Sequence, residues 1–454
     1  MDLRQKIETS PMGFHQWLII GVVVLLNALD GYDVLAISFT SNAVTEEFAL
    51  SGTVLGMVMS AALVGMAVGA FGLGNVADIM GRRWLTLISL VVNAAGLFLT
   101  ATAQSAEELA LWRFVTGLGV GGILVGTNVI ASEYSSRRRR GLAISIYGAG
   151  FGIGGALGGS TMIYLIDAFG WRTVYVFGGI MTIIAIALVL WLLPESPSFL
   201  YQRRPPGAEA KLQKIARRLG HSEPVELDAR PEQGSSSLAE KVKITKLLAA
   251  DHRRASAVIW IGFFMVMFGY YFVSTWTPRL MSLSGLDDSL GLYVTVMLTV
   301  GGTVGCVIFG ISTSRWSTRL VLTWFTVLAG VLMAVFVFTT QWTPLMLLAG
   351  TAVGFFAQGC IAGLYALTPQ SYPVMLRATG VGAALGIGRI GAIVAPTAVG
   401  VMTDAGWTPT AIYMSVGGVM LIATAALLSM RHLNVEANRS PREDLEPVAP
   451  APVT

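Results

Sequence analysis

The chain of 454 residues is 54% hydrophobic and only 12% charged, with a mean hydropathy of +0.68. That composition excludes an ordinary soluble globule and points to a protein that crosses a bilayer many times. Its net charge of +4 does not call for a nucleic-acid partner, because the basic residues flank apolar runs, where membrane orientation accounts for them.

The first apolar run, Trp17–Thr40, is free of charge except for Asp30 and Asp33. It is too long for the core of a signal peptide and many more runs follow, so no cleaved leader is expected. A carboxylate near the middle of a bilayer is costly, about 2.5–3.5 kcal/mol on insertion scales. Two of them, three residues apart, lie on one side of a helix and are expected to share an aqueous cavity. The plain alternative is that both pair with basic residues on neighbouring helices.

Twelve runs of membrane-spanning length follow one another, near 17–41, 53–73, 84–104, 109–132, 141–165, 172–193, 255–278, 290–313, 319–340, 344–368, 378–402 and 409–430. The sixth and seventh are separated by a polar loop, 194–254, whose segment EAKLQKIARRLG predicts a short amphipathic helix at the membrane surface. The tail 431–454 is polar and Pro-rich and is expected to be disordered. Cys306 and Cys360 fall inside spans, so no disulfide framework is implied.

Of the 30 Lys and Arg residues, 26 fall in the chain ends, the even-numbered loops and the central loop. The odd-numbered loops carry Glu46, Glu47, Glu107, Glu108, Asp287, Asp288 and Asp404 instead. The positive-inside rule then places both termini and the central loop in the cytoplasm.

The chain also repeats itself. GNVADIMGRR (Gly74–Arg83) and GISTSRWSTR (Gly310–Arg319) follow spans two and eight, and EYSSRRRRG (Glu133–Gly141) and SYPVMLRATG (Ser371–Gly380) follow spans four and ten. A shift of about 237 residues superposes both pairs. The expected fold is therefore an all-α membrane protein of twelve transmembrane helices in two pseudo-symmetric six-helix halves, 1–193 and 255–430, with a substrate site near the midplane between them.

The residues themselves resemble a known family. Gly74-x3-Asp78-x2-Gly81-Arg82-Arg83 is similar to the loop signature of the major facilitator superfamily, and Arg113 with TGLGVGG (Thr116–Gly122) to its fourth-helix motif. PESPSFL (Pro194–Leu200) resembles the motif that ends the sixth helix in sugar and organic-ion branches. LDGYD (Leu29–Asp33) and GIGRIGAIVAP (Gly386–Pro396) resemble the first and eleventh helices of the aromatic acid:proton symporters. The resemblance covers nearly the whole chain and implies import of a small aromatic carboxylate, of benzoate or hydroxybenzoate type, coupled to protons. Two departures stand out. Ser314 occupies the place of an acid in the second-half loop, which implies a weaker gate there. The fifth helix, Gly148–Ser160, lacks the Gly-Pro pair of proton antiporters, which argues against efflux.

Within this frame Asp30 and Asp33 are the candidate proton carriers, since His15, His221, His252 and His432 lie outside the predicted spans. Burial disfavours the charged form of a carboxyl group, and a like charge nearby couples the two titrations. Arg389, flanked by Gly386, Gly388 and Gly391, offers a planar fork for a carboxylate; it either grips the substrate anion or pairs with Asp30 or Asp33. Arg113 is either an anchor snorkelling to the surface or, as the resemblance implies, a partner of the first-helix acids that assists proton transfer.

Tyr271, Trp276, Phe356 and Tyr365 are candidates for stacking on a flat ring, with packing as the alternative. Asn27 and Asn128 either bond ring substituents or link helices. Asp78, Arg82 and Arg83 suit a gate latch, with Glu133, Arg137 and Arg140 as a matching network; simple anchoring accounts for part of the Arg137–Arg140 run.

The three GxGxxG matches, Gly117–Gly122, Gly150–Gly155 and Gly386–Gly391, lie within apolar spans with no preceding strand, and fit close helix packing rather than nucleotide binding. No metal-ligand spacing, cofactor motif or catalytic set is present. A monomer is expected, with protons as the coupling ion. A symporter for another organic acid or a sugar, and a receptor that binds without transporting, are the rival readings.

Overall fold

Inside a bilayer an isolated apolar segment satisfies its backbone hydrogen bonds only as a helix, and helices build the whole of the described chain. The computed structural model describes residues 3–221, 223–225, 247–249 and 252–429. The expected disorder of 431–454 and much of the central loop lie outside them. The helices in order are α1 (Leu3–Thr9), α2 (Phe14–Phe48), α3 (Gly52–Met80), α4 (Arg82–Ala101), α5 (Ala106–Glu133), α6 (Arg140–Phe169), α7 (Arg172–Leu192), α8 (Pro197–Arg203), α9 (Ala208–Arg218), α10 (Arg253–Leu283), α11 (Asp288–Ser312), α12 (Thr318–Phe336), α13 (Thr343–Leu367), α14 (Val374–Asp404) and α15 (Pro409–Ser429). Twelve, α2–α7 and α10–α15, carry stretches long and apolar enough to cross a membrane.

The ends of these helices follow from local sequence. Ser51, Ser105 and Ser317 cap α3, α5 and α12, each accepting a backbone N–H three residues on. The first helix runs further than its apolar core suggests: α2 starts at Phe14, so His15 sits in its first turn, and it continues to Phe48 before Ala49 turns left-handed at φ 47°.

The 237-residue repeat extends to every span. Shifted by that amount, α7 falls on α15 end to end, and α2–α6 fall on α10–α14 within a few residues. Packing repeats too: α3 lies along α5 as α11 lies along α13, and α2 along α6 as α10 along α14. Glycines set these close contacts. On α6, Gly154 lies against the Ala28 backbone of α2, while Gly152 meets the Thr303 side chain of α11, in the other half. A Cβ at either position has no room, so the glycine-rich run is a two-sided packing surface.

The halves meet on the side away from the chain ends, here called the distal side. Pro278 inside α10 has no N–H to give the Ser274 carbonyl four residues back. The Ser38 hydroxyl of α2 reaches that carbonyl and the Thr275 carbonyl, both at 2.9 Å. Asp404, at the end of α14, accepts from the Gly52 and Thr53 amides at the start of α3, at 2.7 and 2.8 Å. Ser60 of α3 donates to the Ile393 carbonyl of α14 at 2.7 Å, and Asn42 donates to Asp288 at 2.8 Å. None of the hydrogen bonds or ion pairs between described residues joins the halves on the opposite, proximal side.

The amphipathic segment after span six forms α9, but its apolar face is not laid on lipid. Leu212, Ile215 and Ala216 are buried in a small core with Leu3 and Ile7 of α1 and Phe199, Leu200 and Tyr201 of α8. That burial removes the apolar face of α9 from water and so favours the helix. The whole cluster rests on the first half.

Candidate functional site

Between the halves lies a cavity of about 1090 Å³. Its lining includes Ile144 and Ser145 near the start of α6, Gly310 and Ile311 near the end of α11 with Ser314 just beyond it, and Ala366 near the end of α13. All belong to helix ends on the proximal side, so the cavity opens there and is closed distally by the contacts described above.

Asp30 and Arg389 both line this cavity. Asp30 is 7% exposed, and its Oδ1 has no hydrogen-bond partner. Arg389 donates to the Met66 sulfur at 2.9 Å, a weak acceptor, and lies beside the Tyr271 hydroxyl. Among the described residues neither Asp30 nor Arg389 makes an ion pair. The cavity thus holds a carboxylate and a guanidinium, each short of a strong partner.

Asp33 is elsewhere. Arg113 donates to its Oδ1 at 2.6 Å and to its backbone carbonyl at 2.8 Å, and the guanidinium lies 5.7 Å from the centre of the Tyr175 ring. Arg113 is 0% exposed and Asp33 3%, so Arg113 does not snorkel. The expectation of one shared cavity for both acids does not hold. Three residues advance a helix by about 300°, leaving the two side chains about 60° apart; that offset turns Asp33 to α5 while Asp30 faces the cavity.

The aromatic candidates divide. Tyr271 and Tyr365 line the cavity, and Tyr365 meets Phe263 edge-on at 5.8 Å. Trp276 does not: it is 1% exposed and its indole N–H donates to the Pro396 carbonyl at 3.0 Å, tying α10 to α14 distally. Phe356 packs on Phe325 and Phe355. Asn27 donates to the Tyr147 carbonyl at 2.7 Å and links α2 to α6. Asn128 is exposed and outside the residues that line the cavity. Apolar neighbours in sequence do not tell these fates apart, since each residue sits in an equally greasy run.

The expected gate residues sit on the proximal side and bond within the first half. Arg82 pairs with Asp78 at 2.6 Å. Arg83 donates through Nη2 to the Leu190 carbonyl at 2.7 Å, and its amide donates to Glu195 at 3.0 Å. Glu133 accepts from Ser196 at 2.5 Å, Arg140 pairs with Glu8 at 2.7 Å, and the Arg137 amide donates to the Glu8 carbonyl at 2.9 Å. Glu133, Arg137 and Arg140 therefore do not meet Asp78, Arg82 or Arg83 directly. Sequence reading passed over Glu195, although the quoted PESPSFL run contains it. Its carboxylate takes the Arg83 and Ser196 amides, joining the start of α4 to that of α8.

Tyr270, one of the aromatic residues that crowd span seven, lines the cavity as well, whereas sequence reading passed over Thr303, Cys306 and Gln358 as a group on its wall. Each lies one or two residues from an apolar neighbour, and only the tertiary fold gathers them. Among the described residues no group of three or more His, Cys, Asp or Glu side chains gathers at one point.

A duplicated twelve-helix fold with a central cavity open to one side defines a membrane carrier rather than an enzyme. The profile of the Major Facilitator Superfamily matches residues 22–323 and 291–453, and the chain belongs to that superfamily. It is 30% identical over 439 residues to the gallate transporter of Pseudomonas putida, covering 96% of each chain. It is 31% identical to the 4-hydroxybenzoate transporter PcaK of Pseudomonas aeruginosa, covering 94% of this chain and 95% of that one. Among solved structures a D-xylose-proton symporter superposes with a TM-score of 0.70 at 19% identity, covering 93% of this chain and 98% of the other.

Proposed function

We propose that the protein is a proton-coupled symporter that imports small aromatic carboxylates by alternating access. The observation that carries this reading is the pairing of Arg389 and Asp30 in one cavity without a direct ion pair. A guanidinium with open donors is a fork for a carboxylate, and a buried carboxylate oxygen without a donor accommodates a proton. Relatives named for gallate, 4-hydroxybenzoate and benzoate support an aromatic ring on the anion.

The excess of Lys and Arg on the proximal side makes that side cytoplasmic, so the described state is open inward. In the cycle, the outward-open state takes up a proton on the first-helix acids and the substrate anion at Arg389. The halves then rock about the site, and both cargoes leave into the cytoplasm. Asp33, held by Arg113, serves as the acid whose protonation releases that pair. The Asp78, Arg82 and Arg83 cluster, bonded within the first half here, meets the second half when the proximal side shuts.

One monoanion carried with one proton moves no net charge, so such a cycle draws on the pH gradient alone; an extra proton would add the membrane potential, about 2.3 kcal/mol per 100 mV. Labelled benzoate and 4-hydroxybenzoate uptake into vesicles, with and without a proton uncoupler, tests the reading. Accumulation abolished by the uncoupler supports it. Uptake of neither acid defeats the substrate claim, and uptake indifferent to the uncoupler defeats the coupling claim.

A further inference from the structure

The cavity wall formed by α11 and α13 carries one polar group that nothing above explains. Gln358 of α13 lines the cavity, and its Oε1 is buried without a hydrogen-bond donor. The amide leans on Gly302 of α11, where a Cβ would collide with that oxygen and come within 3.0 Å of the Gln358 Cβ and Cδ. The glycine is thus the space that the amide occupies. Around it the wall is weakly polar: Thr303 spends its hydroxyl on the Thr299 carbonyl at 3.0 Å, and the Cys306 thiol donates to the Gln358 backbone carbonyl at 3.4 Å. Neither is a donor left over for Oε1.

A buried acceptor without a donor costs about 1–3 kcal/mol. In these spans Asn27, Ser38, Ser60 and Trp276 have partners, while the unmatched atoms of Thr45, Ser89 and Trp260 lie away from the cavity wall. Gln358 stands with Asp30 as an unmatched polar side chain on the cavity wall, but its unmatched atom is a neutral acceptor, which calls for a hydrogen-bond donor rather than a carboxylate. A neutral donor fits it, and the terminal amide torsion is broad enough to turn the oxygen toward the cavity.

We infer that Gln358 is a subsite for a ring hydroxyl, and that the preferred cargo is a phenolic aromatic acid, held by its carboxylate at Arg389 and by its hydroxyl at the Gln358 amide. This rests on the aromatic-acid reading above and deepens it. A phenol donates its O–H to Oε1, and its oxygen can accept from the amide N–H in turn. Plain benzoate leaves the acceptor unmatched. A site built to bond a hydroxyl discriminates against the analogue that lacks it, because the buried group is then stranded.

The test is equilibrium binding to the full-length protein in detergent, with benzoate, 3-hydroxybenzoate and 4-hydroxybenzoate as probes. The wild type is expected to bind at least one hydroxybenzoate about tenfold more tightly than benzoate. Gln358→Leu is expected to bring that ratio to within twofold of unity. Gly302→Ala keeps the glutamine but pushes its amide off α11, and is expected to change the ratio as well. Gln358→Asn, which withdraws the amide by one methylene, provides the same reading if the leucine variant does not fold. A wild type that favours benzoate, or a ratio unmoved in every folded variant, overturns the subsite while leaving the carrier of aromatic acids intact. A wild type that binds none of the three acids overturns the parent reading and this inference together.

Discussion

Asn42 and Arg279 stand 237 residues apart, the same step that relates the two halves, and they touch: Arg279 donates to the Asn42 side-chain oxygen at 3.3 Å. Ser38 and Thr275 repeat the relationship one turn nearer the middle, at 2.9 Å. Equivalent positions of α2 and α10 therefore meet each other across the pseudo-two-fold axis, as symmetry-related patches do in a two-fold dimer. The distal seal lies on the axis about which the halves are related.

Removing part of that seal is expected to shift the balance of states. Ser38→Ala strands the Ser274 carbonyl that Pro278 leaves unpaired, at about 1–3 kcal/mol. The distally open population should rise accordingly. Thiol labelling of a cysteine introduced at Leu55, on the distal stretch of α3, reads the change; unchanged labelling shows that the seal does not hold the state.

Cys306 is a built-in reporter of the cavity. It lines the cavity wall while Cys360 is fully buried. A small maleimide is expected to label Cys306 from the proximal side and to leave Cys360 unmodified. Benzoate or a hydroxybenzoate at saturating concentration should slow that labelling. Mass spectrometry of the labelled peptides checks both statements.

Arg389→Lys retains the charge but loses the planar fork. Binding of an aromatic carboxylate is expected to weaken at least tenfold, about 1.4 kcal/mol. Binding within twofold of the wild type means that the cation acts only as a distant charge.

The two first-helix acids are expected to fail differently. Asp30→Asn should leave the fold intact and abolish uncoupler-sensitive accumulation, with exchange of labelled for unlabelled substrate retained. Asp33→Ala should destabilise the protein by about 3–5 kcal/mol, because Arg113 is then a buried charge without a partner. The double variant Asp33→Ala, Arg113→Leu should recover most of that stability. Thermal unfolding of the three variants decides it, and a double variant no more stable than Asp33→Ala shows that the pair is not the origin of the loss.

Much of the architecture is legible in the residues alone. Runs of spanning length, the basic loops and the loop repeat define twelve helices in two halves, because lipid leaves few other choices. The site is less legible, for a reason that Asp30 and Asp33 show. A spacing of three states which side of the helix two residues share, but not which neighbours stand there, and about 60° of rotation separates a cavity from an ion pair. Trp276 and Asn27 make the same point: a polar tip in an apolar run must find a partner, and a carbonyl on the next helix satisfies it as well as a ligand does. Gln358 is marked only by the absence of such a partner, which no sequence displays. The reach of α2 to Phe48 is hidden for a related reason, since the polar run from Thr40 to Asn42 ends the apolar stretch before the helix ends.

The core shared by α1, α8 and α9 is built on the first half alone, with Leu3 donating its amide to Tyr201 at 2.9 Å and Arg140 bound to Glu8. Whatever swing the cycle makes, this compact keel moves with one wing of the molecule and not with the other. A dye attached at Lys6 therefore tracks one rigid unit, and its distance to a second dye at Trp316, on the far wing, becomes a direct gauge of how wide the proximal doorway stands.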